Sequence, residues 1–330
     1  MKKIISWLGG LLVVQLLVIV GVYWNSNGTA QSEDMTLLTE VSPEAVDQIV
    51  IAESEQQSVL KKESGRWRLP NYEGLPARES EIKSLVERLV ALKRHWPVAN
   101  TTDTFERFKV SDKVFERKVE LKSGDKSLAT LYFGTSPSFK KIHVRLAGES
   151  EAYAVDLNSY DLKFADKEWL EQSLLAYKDG VDKIKLSDLV LERGDDWSMP
   201  GLADNESLDS SAADKLVTDL ENLSVEQLLD KSRRESIAGR EPEATLTLYS
   251  ADKETVYSGY KDGDDYILVS SLPVSGAMLP FKISEYQYNK LFDIGRNTFV
   301  KTKESDKVAD GQLSTEAQSE PHPSQSPAGS

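Results

Sequence analysis

Hydrophobic and polar positions divide this chain into three stretches. Residues 4–24 are uncharged and mostly apolar. From about 46 to 300, short alternating segments are mixed with two stretches of three-to-four spacing. From about Lys303 to Ser330 the periodicity stops, and Ser, Pro, Gln, Gly and Ala dominate. In the middle stretch, period-two alternation predicts strands at 118–121, 128–133, 143–146 and 153–155, and again at 245–249, 255–260, 266–269 and 279–283. The turns Ser123-Gly124-Asp125 and Asp262-Gly263-Asp264 join neighbouring strands as hairpins. Ile82, Leu85, Leu89 and Leu92 predict a helix over 79–94, starting at Ser80 or Glu79. Leu216, Leu220 and Leu223 predict a second over 209–223, capped by Asp209 or Ser210. Strands near 46 and 181 turn through Ser64-Gly65 and Gly194-Asp195 into strands bearing Trp67 and Trp197. Pro70 and Pro200 end those strands. Short helices are expected at 159–176 and 285–294. The fold class is therefore α+β, with antiparallel sheets.

The two halves repeat one order of features. Val46-Asp47-Gln48-Ile49 is echoed by Val181-Asp182-Lys183-Ile184, and Trp67-Arg68-Leu69-Pro70 by Trp197-Ser198-Met199-Pro200. The strings LVERL (from Leu85) and LVTDL (from Leu216) match, as do Val119-Glu120-Leu121 and Leu246-Thr247-Leu248. YAVDLNSY, ending at Tyr160, matches LPFKISEY, ending at Tyr286. Five matches in one order imply tandem duplication, with loops of different length between copies. The expected organisation is an anchor and short linker over 1–30, a first repeat over 31–178, a second over 179–302, and a disordered tail over 303–330.

The apolar run supplies an address. At helical rise, about 20 residues cover the roughly 30 Å hydrocarbon core of a bilayer. Lys2 and Lys3 precede it, and the first charges after it are Glu33 and Asp34. This bias places the N-terminus in the cytoplasm and the body outside, at a bacterial inner membrane. Tyr23 and Trp24 close the run, where amphipathic rings favour the headgroup level. Gly28-Thr29-Ala30 offers the small residues of a cleavage site, but a signal peptide's apolar region usually spans only about 7–15 residues. An uncleaved anchor is the reading that length favours.

Composition narrows the chemistry. A formal net charge of −14 disfavours nucleic acid and anionic headgroups as ligands for the bulk of the surface. The absence of cysteine removes disulfides, thiol catalysis, iron–sulfur clusters and a lipoprotein anchor.

The W-x-x-P strand ends, the Leu-periodic helix, YAVDLNSY, and Trp169-Leu170 followed by Val181-Asp182-Lys183-Ile184 together resemble a bacterial family catalogued as a domain of unknown function, number 4340. The resemblance covers roughly 45–300. It implies a membrane-anchored, extracytoplasmic, internally duplicated protein. Similar proteins are encoded beside ABC transporters of the gliding-motility type, so the implied partners are a transporter permease or a companion extracytoplasmic subunit. No catalytic residues carry over. The second copy departs from the first in an acidic loop after Trp197 (Asp204, Glu206, Asp209).

The chemical motifs are weak. S-x-x-K, the pattern of penicillin-binding nucleophiles, occurs six times, among them at Ser58/Lys61, Ser123/Lys126, Ser138/Lys141 and Ser250/Lys253. Repeated hits are what chance gives in a chain rich in both residues, and these four lack the helix start that this chemistry needs. There is no G-x-S-x-G and no Walker A loop. His95 is expected at a helix end, His143 on a strand among Lys140, Lys141 and Arg145, and His322 in the tail. None has metal-ligand spacing. Asp262, Asp264 and Asp265 around Gly263 lack the EF-hand spacing and read as a hairpin turn. The pairs Trp67/Trp197 and Tyr160/Tyr286 could stack on sugars, but repeated aromatics fit a core role better. No catalytic, cofactor-binding or metal site is therefore assigned. The expected function is that of a non-enzymatic accessory subunit binding other proteins. The alternative is an extracytoplasmic ligand-binding protein for glycan or peptide.

Overall fold

The computed structural model describes residues 36–302, apart from Asp188 and Asp252, together with Gln15 and Val18. The apolar run 4–24, save those two residues, and the tail from 303 lie outside the described residues. Among the described residues, no helix is long and apolar enough to cross a membrane. The body is mostly antiparallel sheet with a few helices. It forms two compact units, one within Met1–Asn71 and Glu79–Trp169, the other within Tyr72–Arg78 and Leu170–Ser330. The division falls after Trp169, ahead of the boundary expected at 178. Leu170 bridges Ala77, and the Glu171 N–H donates to Pro76, which draws 72–78 to the second unit.

In chain order the first half contains β1 (Gln48–Glu53), β2 (Gln56–Glu63), β3 (Arg66–Leu69), β4 (Leu75–Pro76), α1 (Glu79–Val90), α2 (Thr102–Arg107), β5 (Arg117–Ser123), β6 (Lys126–Phe133), β7 (Lys141–Leu146) and β8 (Tyr153–Asp156). Its sheet has the order β4-β3-β2-β1-β5-β6-β7-β8. The second half contains β9 (Lys183–Leu186), β10 (Leu189–Arg193), β11 (Trp197–Ser198), β12 (Glu206–Leu208), α3 (Ser210–Glu221), β13 (Gln227–Leu228), α4 (Lys231–Ala238), β14 (Ala244–Ser250), β15 (Lys253–Asp262), β16 (Asp265–Ser270), β17 (Phe281–Ile283), α5 (Glu285–Phe292), α6 (Arg296–Phe299) and β18 (Val300–Thr302). Its sheet has the order β11-β10-β9-β14-β15-β16-β17-β13, and β12 pairs with β18 as a separate ribbon.

From the Trp strand outward the two orders run in parallel: β3-β2-β1-β5-β6-β7-β8 beside β11-β10-β9-β14-β15-β16-β17. Register agrees as well. Ile49 on β1 sits between Leu60 and Leu121, and Ile184 on β9 between Leu191 and Leu248. Period-two alternation sends these side chains to one face, where all are buried. The helices α1 and α3 bury the matching positions Ile82/Ala213, Leu85/Leu216, Val86/Val217 and Leu89/Leu220. Even the outer edge agrees, since Ala99 bridges Ala152 as Leu228 pairs with Phe281. A capped short helix follows each: the Thr101 hydroxyl accepts the Thr104 N–H at the start of α2, and the Asp230 carboxylate accepts the Arg233 N–H at the start of α4.

Two glycines mark close approaches. A Cβ on Gly134, just past β6, would lie 1.9 Å from the Phe108 carbonyl oxygen. One on Gly259, within β15, would meet the Phe292 and Tyr288 rings at 2.7 and 2.9 Å.

The helix expected over 79–94 ends at Val90. Its continuation is spent on strand-like pairing: the Leu38 N–H donates to Leu92, and Leu37 bridges Lys93. The helix expected over 209–223 ends at Glu221. Asp209 is its N-cap residue, but its carboxylate serves Ser211 and Lys301 instead of the helix amides. The helix expected over 159–176 is two 3-10 turns, Ser159–Asp161 and Asp166–Trp169. Leu162 leaves helical backbone angles between them, and the Trp169 indole N–H donates to the Lys163 carbonyl at 3.0 Å.

Candidate functional site

The repeated Val-Asp-x-Ile string is a structural pin. The Asp47 carboxylate accepts the Gly124 N–H in the β5–β6 turn at 2.8 and 2.9 Å. Asp182 likewise accepts the Ala251 N–H in the β14–β15 turn at 2.6 Å. The main chain repeats the pattern: Lys62 N–H donates to Asp47, and Arg193 N–H to Asp182, each at 2.7 Å.

The serine–lysine pairs at Ser58, Ser123, Ser138 and Ser250 do not converge as nucleophile and base. Ser58 is fully buried on β2 while Lys61, three residues on, faces out beside Glu63, as alternation along a strand requires. Ser123 pairs with Lys126, and Ser250 with Lys253, across hairpin turns. Ser138 and Lys141 close a small loop. Ser58 donates instead to the Asp166 carboxylate at 2.6 Å. Burial pushes the Asp166 carboxyl above its ordinary value, against the opposing pull of the Ser58 hydroxyl.

His95 lies beyond the end of α1, in irregular chain. His143 is buried on β7, stacked on Phe108 at 4.3 Å, with Nδ1 3.0 Å from the Thr135 hydroxyl. Burial lowers its pKa. His322 lies outside the described residues. Arg145, also buried, lies over the Phe105 and Tyr132 rings, donates to the carbonyls of Val110 and Glu149, and pairs with Asp112 at 2.9 Å. Its guanidinium holds the Asp112 carboxyl below its ordinary value. The Asp262–Asp265 turn is neutralised from within: Arg233 binds Asp262 and Asp265, and Lys282 binds Asp265 at 2.6 Å. Among the described residues, no group of three acidic or His side chains could hold a metal ion.

The aromatic pairs separate. Trp67 and Trp197 are buried at 7% and 6% exposure, as a core role requires. Tyr160 and Tyr286 are not core residues: they are 85% and 67% exposed. Each belongs to the helical turn after the last strand, which leaves the ring on the outer side. Beside each, a salt bridge ties that turn to the long helix. Arg88 donates to Asp161 at 2.5 Å in the first unit, and Lys290 to Asp219 at 2.5 Å in the second. Arg88 and Asp219 occupy matching helix positions, so the polarity is reversed.

The two tryptophans differ in their polar surroundings. In the second unit the Trp197 indole N–H donates to Asp214 on α3 at 2.8 Å. Arg193 lies over the ring, 5.3 Å from its centroid, and 3.8 Å from the same carboxylate. In the first unit the matching position on α1 is Lys83, which cannot accept a hydrogen bond. Trp67 there borders an open cleft of about 440 Å³ whose lining includes Val46, Lys62, Ser80, Lys83 and Glu87. The Trp67 indole N–H has no partner among the described residues. Sequence reasoning placed both rings but missed Lys62, Lys83, Arg193 and Asp214. The signal was available: aligning LVERL with LVTDL sets Lys83 against Asp214.

A family model described as "Domain of unknown function (DUF4340)" matches residues 67–253, more than half of the chain. The chain belongs to the DUF4340 family. The DUF4340 match opens on Trp67 and runs through Trp197, α3 and β14, so it takes in elements of both units. No curated protein and no solved structure matches the chain.

Proposed function

We propose that this DUF4340 protein is a single-pass inner-membrane protein whose two units are tandem copies of one α+β module held in the periplasm. It acts without turnover, as an accessory component that binds other proteins of an ABC-type transport or envelope complex. The observation that carries the reading is the contrast between kept interiors and changed surfaces. Buried positions agree from Ile49/Ile184 to Leu89/Leu220, whereas Arg88–Asp161 becomes Asp219–Lys290 and Lys83 becomes Asp214. One scaffold with two different faces suits a protein that holds two different neighbours. The apolar run behind Lys2 and Lys3 supplies the membrane address. Sharing a membrane raises effective concentration, so weak interfaces suffice.

The test is topological and functional. A phosphatase fused after Ser330 is expected to be active only outside the cytoplasm, and the protein to stay in membranes through a carbonate wash. Release of a chain beginning at Gln31 would make the run a signal peptide. Alanine at Ser58, Ser123, Ser138 or Ser250 is expected to leave the cellular phenotype intact. Loss of that phenotype from one such change, at normal folding and membrane level, would favour an enzyme instead.

A further inference from the structure

The second unit fills its own tryptophan site and the first does not. Around Trp197 the chain supplies every part: an indole N–H, an Asp214 carboxylate to receive it, and an Arg193 guanidinium over the ring that also approaches the carboxylate. Around Trp67 the donor and a cation are kept. Lys62 stands where Arg193 stands, each donating its main-chain N–H to the pinning aspartate. The acceptor is gone, replaced by the second cation Lys83. Where the carboxylate should be there is a cleft of about 440 Å³.

We infer that the Trp67 cleft binds a single Asp or Glu side chain of a partner protein, which takes the place that Asp214 occupies in the second unit. This rests on the protein-binding reading above and names its site. The indole N–H and the Lys62 ammonium supply charge-assisted bonds to the carboxylate, which are stronger and more directional than neutral ones. Val46 and Val86 supply apolar lining for the neighbouring methylenes. The glutamates in the lining limit the charge that the cleft accepts. Glu87 lies 3.9 Å from Lys83, and Glu44 takes the Ser42 hydroxyl. Glu79 also borders the cleft, so the lining carries three glutamates to two lysines and an acidic run is repelled; a single carboxylate meets Lys62 and the indole N–H, while Lys83 faces Glu87.

The experiment uses the full chain in detergent micelles, with tryptophan labelled at the indole nitrogen. Trp67→Phe and Trp197→Phe assign the two signals. The probes are the blocked peptides acetyl-Ala-Asp-Ala-amide and acetyl-Ala-Asn-Ala-amide. The Asp peptide is expected to move the Trp67 signal saturably and leave Trp197 in place. The Asn peptide should bind about tenfold more weakly, as loss of one charge-assisted contact implies. Lys83→Asp gives the first unit its own acceptor and should abolish binding. Lys83→Ala adds no acceptor and should retain it. A Trp67 signal indifferent to the Asp peptide, equal response to both peptides, or undiminished binding to Lys83→Asp would each overturn the site. A pull-down through the anchor separates the two levels. Partners held equally by wild type and Lys83→Asp refute this cleft and leave the accessory reading standing. Capture of nothing by the wild type refutes that reading itself.

Discussion

The Asp47 carboxylate holds the N–H of Gly124, 77 residues further along the chain, and thereby fixes the β5–β6 turn to the start of β1. Asp182 does the same for Ala251. The contact joins strands that meet only after α1 and α2 have been threaded between them. Replacing Asp47 with Ala should therefore loosen the turn and cost about 1 kcal/mol, the ordinary net value of such a hydrogen bond. Asp182→Ala should cost less, since Asp182 is exposed where Asp47 is half-buried. Urea denaturation of the two variants against wild type checks both the sign and the order.

Asp166 gives the first unit a pH dependence. Its folded-state pKa is raised by burial, so the folded state favours the protonated acid. The favourable contribution is present at low pH. It is lost as pH rises from the unfolded-state value near 3.8 through the higher folded value. Asp166→Asn keeps an acceptor for Ser58 and removes the charge. The variant should gain stability over wild type at about pH 7 and show no gain at about pH 3, below both pKa values. Thermal melts at the two pH values measure this difference.

Gly134 and Gly259 separate hard from soft crowding. A methyl at 134 meets backbone oxygen, which cannot turn aside. A methyl at 259 meets two aromatic side chains that can tilt. Gly134→Ala should destabilise by about 3 kcal/mol or more and Gly259→Ala by about 1–2 kcal/mol. Denaturation midpoints in the same buffer settle the ranking.

Arg145 is a buried hub whose planar fork serves two carbonyls, Asp112 and two rings at once. Lysine retains the charge but cannot make the fork. Arg145→Lys should cost about 2 kcal/mol or more, because the Val110 carbonyl is left buried without a donor. Chemical denaturation checks this, with circular dichroism confirming that the variant still folds.

Period-two alternation located the meander strands of both halves to within a few residues, because each has one buried face and reads as alternating side chains. Leu spacing found α1 and α3 for the same reason. The 159–176 segment failed because nothing local stops a helix there. The chain turns where Asp166 is drawn to Ser58 and the Trp169 indole to Lys163, contacts that no window of sequence displays. The helix α2 is legible only in its Thr101-x-x-Thr104 box, since it buries no side chain and so shows no apolar period. The exposure of Tyr160 and Tyr286 was hidden, since an aromatic at a repeated position looks the same whether it plugs a core or caps a turn. The Trp67 cleft was half legible. The ring was visible, and the missing acceptor appears only when Lys83 is set beside Asp214.

The reversed bridges Arg88–Asp161 and Asp219–Lys290 have a consequence for biogenesis. Two similar modules emerging in succession can trade helices before either closes, a common failure of multidomain chains. If α1 settled on the second sheet, Arg88 would confront Lys290; if α3 settled on the first, Asp219 would confront Asp161. Each exchange would replace an attraction with a repulsion, so the charge swap disfavours the exchanged arrangement of helices.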